Sequence, residues 1–403
     1  MSKSDVVILG ASHSGVAAAA ALRGSGFGGT ITIVTREGCM PYHRPPLSKE
    51  GLSTSDYAPA LLRPASFYET NRIALEQGAE IASLDTSGRA LLADDGRRFE
   101  FGTLVLACGA EPRRLPAKMD PDGAAIYLRT MDDFLLLKDR LAQAKSVAIV
   151  GGGLIGLEIA AMAVSRGLRT TLIEAGDRLM GRTVSGSISG YLLDRHQAKG
   201  LDVRLATTVT SIRRDDARGD TIVLGTSETV EVDLTIAAIG AAPNDKLARD
   251  AGLAVENGIL ASEQGQTTDA AIFAIGDCAA WFDPELQRHV RLEAVNPGLD
   301  QAKIVASLIA ASPMPEKRVA RYWSHQADIQ IQMAGNISSS ESEAVLKAPE
   351  SGAFSVLGLK DGRLVSVQSI NAPKQFTKLH GLIGAQRDAV AHALDVEFPP
   401  PRH

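Results

Sequence analysis

VVILGASHSG, residues 6–15, and VAIVGGGLIG, residues 147–156, are the same device written twice in a chain of 403 residues. Each reads as a β-branched strand, then a glycine-rich turn, then the start of an alanine- or apolar-rich helix. After the first comes a second strand, TITIVTRE, ending at Glu37; after the second comes RTTLIE, ending at Glu174. These acids lie 22 and 18 residues past Gly15 and Gly156. A dinucleotide-binding fold places an acid about 20 residues on, where it holds a ribose.

The glycines have separate tasks. The first makes the tight turn, the middle one lets backbone N–H groups approach a pyrophosphate, and the last permits close helix–strand packing. The helix N-terminus then favours the phosphate charge. The first copy offers Gly10, Ser12 and Gly15, with a serine at the middle position whose side chain can turn away. Its acid is ambiguous, because Arg36 stands immediately before Glu37. The second copy, Gly151, Gly153, Gly156 and Glu174, is complete. Glu174 is expected to bond a ribose 2′-hydroxyl and repel a 2′-phosphate, which favours NADH over NADPH, although Arg178 lies nearby. Two nucleotide folds imply two nucleotides, and the usual pair is a flavin and a nicotinamide. LVLACGAEP at 104–112 and LTIAAIGAAPN at 234–244 read as strands ending in glycine turns, suited to crossovers between domains. AIFAIGDCA at 271–279 is an apolar strand ending in Gly276-Asp277. Asp277 there can accept a ribityl hydroxyl of a flavin, cap a helix, or do both.

Composition supports a folded α/β chain: 45% hydrophobic, 38 glycines, few aromatics. A net charge of −5 gives no bulk attraction to nucleic acid or anionic membrane. Cys39, Cys108 and Cys278 form no CxxC, which argues against a disulfide framework or zinc site and fits a reducing cytoplasm. No histidine and carboxylate spacing suggests a metal. The N-terminus enters an apolar strand without a signal-peptide layout, and the longest apolar runs, such as VAAAAAL at 16–22, are far short of a membrane span.

Many motifs, in order and over nearly the full length, make the chain resemble the FAD-dependent, NADH-linked ferredoxin reductases of the putidaredoxin-reductase and dioxygenase-reductase type. They are PYHRPPLSK, LVLACGAEPRRLP, YLRTMDD, GGGLIGLEIA, IEAGDRLMGR, IGAAPN, TTDAAIFAIGDCA, RLEAV, YWSHQADIQIQMAG and INAPKQFTKLHGLI. The resemblance implies an α/β fold with two Rossmann-like domains of the glutathione-reductase kind and a C-terminal α+β domain. An FAD domain is expected over 1–110 and 240–320, an NAD domain over 111–239, and a C-terminal interface domain over 321–403. Ser14 and Gly15 would lie along the FAD pyrophosphate, and Arg36 or Glu37 at the adenosine ribose, where the family usually has an acid in place of Arg36. Ile81 would meet the adenine through its backbone. Arg44, Lys49 and Arg129 would reach FAD, Asp277 the ribityl chain, and Val295 the isoalloxazine. Glu158 would pair with Lys49 near the flavin, and Trp323 would cover the ring toward the acceptor. The chain departs from the family pattern at Cys108, at VNPG 295–298, at His325 and at Ala327.

The expected chemistry is a hydride taken from NADH onto FAD and single electrons passed to a 2Fe–2S ferredoxin serving a haem monooxygenase or ring-hydroxylating dioxygenase. The protein's part is positioning and electrostatics. By resemblance, Arg63 and Lys303 are candidates for docking an acidic ferredoxin. GCMPYHRPPLSK, residues 38–49, sets Lys49 against Cys39: related peroxide-, oxygen- or disulfide-reducing flavoenzymes carry one loop cysteine followed by Pro-Tyr. A Cys39-dependent peroxidase, oxidase or disulfide reductase is therefore the second reading. A slow-turnover flavin redox sensor is the third. Cys108 and Cys278 read as small buried hydrophobes, His13 as a loop side chain, His43 as a possible flavin-pocket residue, and His196, in YLLDRHQAKG, as solvated. In the C-terminal part, the Asp-Gly of AFSVLGLKDGRLVSVQSI predicts a hairpin turn, and TKLHGLIGAQRDAVAHAL a single final helix.

Overall fold

The computed structural model describes residues 2–54, 57–215, 218–316, 318–348 and 352–394. The chain forms two compact units. One comprises Met1–Arg44, Pro59–Glu111 and Ala241–Arg318; the other comprises Pro45–Ala58, Pro112–Gly240 and Val319–His403.

At the centre of the first unit, strand Ser2–Leu9 pairs in parallel with Ile31–Val34 on one side and Arg98–Leu106 on the other. Ile73–Glu76 adds in parallel outside Ile31–Val34, and Ile272–Ala274 pairs in parallel with Arg98–Leu106. Ile81–Asp85 and Ala90–Ala93 complete this sheet as antiparallel strands. Parallel strands are covered on both faces, so they read as continuous apolar runs. Val7, Leu9, Leu104 and Leu106 accordingly enter one core, and Val6, Ile8 and Val105 enter the other. Helix His13–Gly24 packs beside Val295–Ile309 on the second of these faces. The strand expected from TITIVTRE is confined to Ile31–Val34, and Glu37 lies in the loop beyond it.

The second unit repeats the plan. A four-stranded parallel sheet runs in the order Asp202–Arg204, Arg169–Ile173, Ser146–Val150, Leu234–Ala237. Helix Leu154–Ser165 follows the second glycine turn, and its residues 156–163 are all buried. One reason is that strand Arg321–Gln326 covers it from the outside. That strand edges a five-stranded antiparallel sheet with Ile329–Gly335, Arg363–Ile370, Phe354–Lys360 and Ser342–Lys347. The Asp-Gly turn is present: Asp361 and Gly362 both have positive φ, 49° and 71°, as a tight hairpin turn of the primed type requires. The single final helix is not. It divides into Pro373–His380 and Arg387–Leu394. Gly384, at φ +96°, turns its N–H to Leu364 O at 2.8 Å, which takes the backbone out of the helical ladder. Among the described residues, no helix is long and apolar enough to cross a membrane.

Candidate active site

The first glycine turn has the shape its spacing demands. Gly10 has φ +116°, and a Cβ there would lie 2.2 Å from Ala107 O. A Cβ on Gly15 would lie 1.8 Å from Gly10 O. No larger residue fits at either place without moving backbone. Ser12 takes the N-cap position of helix His13–Gly24 in extended conformation, but its hydroxyl does not cap the helix. Instead it accepts from Arg44 Nε at 3.1 Å. First-turn amides left without a side-chain cap suit a phosphate.

Other segments of the same unit converge on this helix start. A Cβ on Gly276 would come within 2.6 Å of Ser14 Oγ, and one on Gly298 within 2.3 Å. Ser14, the Gly276–Cys278 turn with Asp277, and the start of helix Val295–Ile309 are therefore neighbours. Gln301 Oε1 holds the Gly276 amide at 2.7 Å. Arg291 donates from Nη1 to Asp277 O at 3.2 Å, yet its Nε is buried without a partner. A buried donor beside Asp277 is what a polar bound group would satisfy. On the same recess as Ser12, Glu37 is held by Arg44 and, at 2.7 Å, by Tyr42 Oη. This shallow recess is lined by Ala11, Ser12, Thr35, Glu37, Cys39, Pro41, Tyr42 and Arg44. Glu37, not Arg36, faces it; Arg36 is turned to an ion pair with Glu111. Ile81 opens its strand and packs half-buried on the core. These features together fit a bound dinucleotide such as FAD.

The cysteines separate. Cys39 is exposed and Cys278 is buried, whereas Cys108 is only partly buried, less than its sequence suggests. Hydrogen bonding to Cys278, then burial, pushes the Cys108 thiol well above its ordinary value. His13 opens its helix rather than standing in a loop, and its Nε2 lies 3.4 Å from His43 Nδ1 with the rings edge to face.

In the second unit the glycine turn is equally tight. Gly151 has φ +111°, a Cβ there would meet Ala238 O at 2.4 Å, and a Cβ on Gly156 would meet Gly151 O at 2.1 Å. Gly153 is the N-cap of helix Leu154–Ser165 and has no side chain to cap it. Glu174 accepts from the Gly152 amide at 2.6 Å and the Gly176 amide at 2.7 Å, so it stands directly over the turn. Arg178 is committed to the carbonyls of Val184 at 2.7 Å and Gly181 at 2.5 Å. Two residues not singled out from sequence flank Gly240: a Cβ there would lie 3.5 Å from Arg182 Nη2 and 3.7 Å from Arg113 Cδ.

Glu158 sits on helix Leu154–Ser165 and is 4% exposed. Lys49 Nζ lies 3.0 Å from its Oε2 and also donates to Pro45 O at 3.2 Å. Pro45–Ser48 is a single tight turn that delivers Lys49 to the helix, and Ser48 Oγ donates to the same carboxylate oxygen at 2.6 Å. From strand Arg321–Gln326, Ser324 Oγ donates to Glu158 Oε1 at 2.7 Å. Strand alternation puts Ser324 and Gln326 on the buried face and Trp323 and His325 on the other. Arg129 precedes helix Met131–Gln143, its backbone N–H held by Asp133 at 3.0 Å. His196, expected to be solvated, is 2% exposed; its Nε2 is 2.8 Å from Gln326 Oε1. Sequence reading missed Ser48, Ser324 and Gln326; for the last two the signal was polar residues at alternate positions of one strand.

The docking candidates are both on the surface. Arg63 stacks over the Phe67 ring at 5.3 Å, and Lys303 pairs with Asp300 at 3.3 Å.

The family model described as pyridine nucleotide-disulphide oxidoreductase matches residues 4–302, and the one described as reductase C-terminal matches residues 321–398. A rubredoxin-NAD(+) reductase of Pseudomonas putida is 37% identical over 379 residues, 94% of this chain and 98% of that protein. The ferredoxin reductase for the CYP199A2 system of Rhodopseudomonas palustris has TM-score 0.89 at 32% identity, covering 96% of this chain and 97% of that one. The covalent putidaredoxin reductase–putidaredoxin complex has TM-score 0.90 at 31% identity, covering 96% and 95%. The chain belongs to the pyridine nucleotide-disulphide oxidoreductase family and carries its reductase C-terminal domain.

Proposed function

We propose that this member of the pyridine nucleotide-disulphide oxidoreductase family is an NADH-dependent reductase that holds FAD and reduces a small iron–sulfur protein, a 2Fe–2S ferredoxin that serves an oxygenase. The observation that carries the reading is a doubled glycine turn, each copy uncapped at its helix and too tight for any Cβ, together with a sealed Lys49–Glu158 pair. The bound flavin supplies the redox chemistry, accepting electrons as a pair and releasing them singly.

The chain's residues bind, orient and supply charge. Gly10, Ser12, Ser14 and Gly15 are assigned to the FAD pyrophosphate. Glu37 is assigned to its ribose in place of Arg36, because Arg36 is paired away. Arg44, Ile81, Arg129, Asp277 and Val295 are assigned to the rest of the cofactor, with Arg291 beside Asp277 as an added donor. Gly151, Gly153, Gly156 and Glu174 are assigned to NADH, with Arg113 and Arg182 as phosphate partners. Lys49, oriented by Glu158, is the fixed positive charge that stabilises negative charge on the flavin ring, and Trp323 covers that ring.

A rubredoxin is the other acceptor class, since a close relative reduces one by name. Arg63 and Lys303 are assigned to docking an acidic ferredoxin. A cytoplasmic location belongs to the proposal, because none of the three cysteines is in a disulfide, which a reducing compartment maintains.

The test is an anaerobic titration of the FAD-loaded protein with NADH and, in parallel, NADPH. Fast bleaching at one equivalent of NADH, far slower with NADPH, is the expected result. Absent bleaching overturns the reductase reading. A second step compares Arg63→Glu/Lys303→Glu with the native protein. Slower ferredoxin reduction at unchanged NADH–ferricyanide activity is expected, and equal loss of both removes the docking assignment.

A further inference from the structure

Glu158 is the end of a longer chain of buried polar groups. His196, on helix Gly186–Ala198, places Nε2 2.8 Å from Gln326 Oε1. Gln326 Nε2 reaches Ser324 Oγ at 3.3 Å and Met180 Sδ at 3.5 Å. Ser324 Oγ donates to Glu158 Oε1 at 2.7 Å, while Lys49 and Ser48 hold the other carboxylate oxygen. His196 is 2% exposed, and Gln326 and Ser324 are 0% exposed.

The chain has one direction. The Gln326 amide nitrogen is only a donor, and it faces Ser324; its oxygen is only an acceptor, and it faces the imidazole. His196 must therefore carry its proton on Nε2. The single hydroxyl proton of Ser324 goes to the carboxylate. Every bond donates toward Glu158, and such bonds polarise one another in a low-dielectric interior. An amide neither accepts nor releases a proton along such a path, so the chain holds charge and orientation and does not conduct protons. Two elements distant in sequence, helix Gly186–Ala198 and strand Arg321–Gln326, thus bear on one carboxylate oxygen through Ser324, and the other oxygen orients Lys49.

We propose that His196, Gln326 and Ser324 are positioning residues, fixing Glu158 and through it Lys49 in the orientation from which the ammonium acts on bound flavin. The proposal rests on the assignment of Lys49 to the flavin made above. It gives the C-terminal domain a role in the redox step besides covering the ring.

Ser324→Ala, His196→Leu, His196→Gln and Lys49→Met are compared with the native protein, all FAD-loaded, by NADH-driven flavin reduction and by flavin absorbance and midpoint potential. Ser324→Ala is expected to slow flavin reduction about tenfold, with KM for NADH within about twofold, because a small misplacement of a catalytic charge has that order of cost. The flavin band and potential shift with it. His196→Leu moves both in the same direction by less. His196→Gln stays near native, since its amide N–H can stand where Nε2–H stood. Native rates and spectra in Ser324→Ala and His196→Leu overturn the proposal while leaving the Lys49 assignment intact. So does equal damage from His196→Gln and His196→Leu. Native behaviour of Lys49→Met instead removes the assignment itself, and the proposal with it. Independently of any variant, ¹⁵N imidazole spectra of the native protein are expected to show His196 as the Nε2–H tautomer, and the other tautomer overturns the chain.

Discussion

Lys49 Nζ and Glu158 Oε2 meet at 3.0 Å with side chains only 12% and 3% exposed, an ion pair almost sealed from water. Such a pair is no cheap source of stability, because desolvation offsets most of the attraction. Breaking one side of it is costly, since the other charge stays buried. Lys49→Met is expected to destabilise the protein by about 3 kcal/mol, and Lys49→Met/Glu158→Met by less than the sum of the single changes. Urea unfolding of the three variants measures the coupling. Additive losses would mean the two charges do not act as a pair.

Cys39 is exposed on the wall of the recess beside Ser12 and Arg44, while Lys49 and Glu158 carry the buried charge. Reactive thiols sit in electropositive, partly enclosed places, and Glu37 with its two partners supplies no net cation here. Cys39→Ser is expected to leave NADH-dependent turnover within about twofold of native. Near-complete loss, with a long-wavelength thiolate–flavin band in the native protein, would restore the thiol reading.

Gly15 tests the cofactor cradle most directly. A Cβ there would stand 1.8 Å from Gly10 O, so Gly15→Ala must push helix and turn apart. The outcome expected is protein that purifies with flavin well below one equivalent, judged by the flavin-to-protein absorbance ratio, yet still folds. Full flavin retention would show that the turn does not hold the cofactor.

Specificity for the nicotinamide turns on Glu174. Its charge lies over the glycine turn, and Arg178 is occupied by the Val184 and Gly181 carbonyls and is not offered to a phosphate. Glu174→Gln keeps an acceptor for the Gly152 or Gly176 amide and removes the repulsion of a 2′-phosphate. The NADPH-to-NADH ratio of kcat/KM is expected to rise about tenfold. An unchanged ratio would place the discrimination elsewhere.

Much of this was legible in the sequence because glycine spacing encodes local geometry that no other residue can supply. Gly10, Gly15, Gly151 and Gly156 stand where their spacing put them, and Asp361-Gly362 makes its hairpin. What was not legible depends on distant elements. TKLHGLIGAQRDAVAHAL reads as one helix, but within it the Gly384 amide is taken by Leu364 O. His196 looked solvated because Asp194, Arg195 and Lys199 surround it in sequence. It falls on the same helix face as Ile188, Ser189 and Leu192, all buried, and that spacing was the available signal.

The burial of His196 also has a pH signature. Burial first, then the charge of Lys199, pushes its imidazole below the ordinary value, against opposing contributions from Gln326 and Asp328. In the unfolded chain the ring titrates near about 6.5. Above that value neither state binds the proton, and the contribution to stability is level. As pH falls below it, the unfolded chain takes up a proton that the native state refuses until its lower value is reached. Unfolding is then favoured, with a slope of up to about 1.4 kcal/mol per pH unit across that window. Nε2 donates to Gln326 in the neutral form already, and the pull of Gln326 and Asp328 toward protonation is outweighed by burial. His196→Gln keeps the donor and cannot titrate. The native protein is expected to lose more of its unfolding free energy than this variant between about pH 7 and about pH 5. Parallel curves would mean the imidazole charges freely in the folded state, and so is not held as a neutral donor to Gln326.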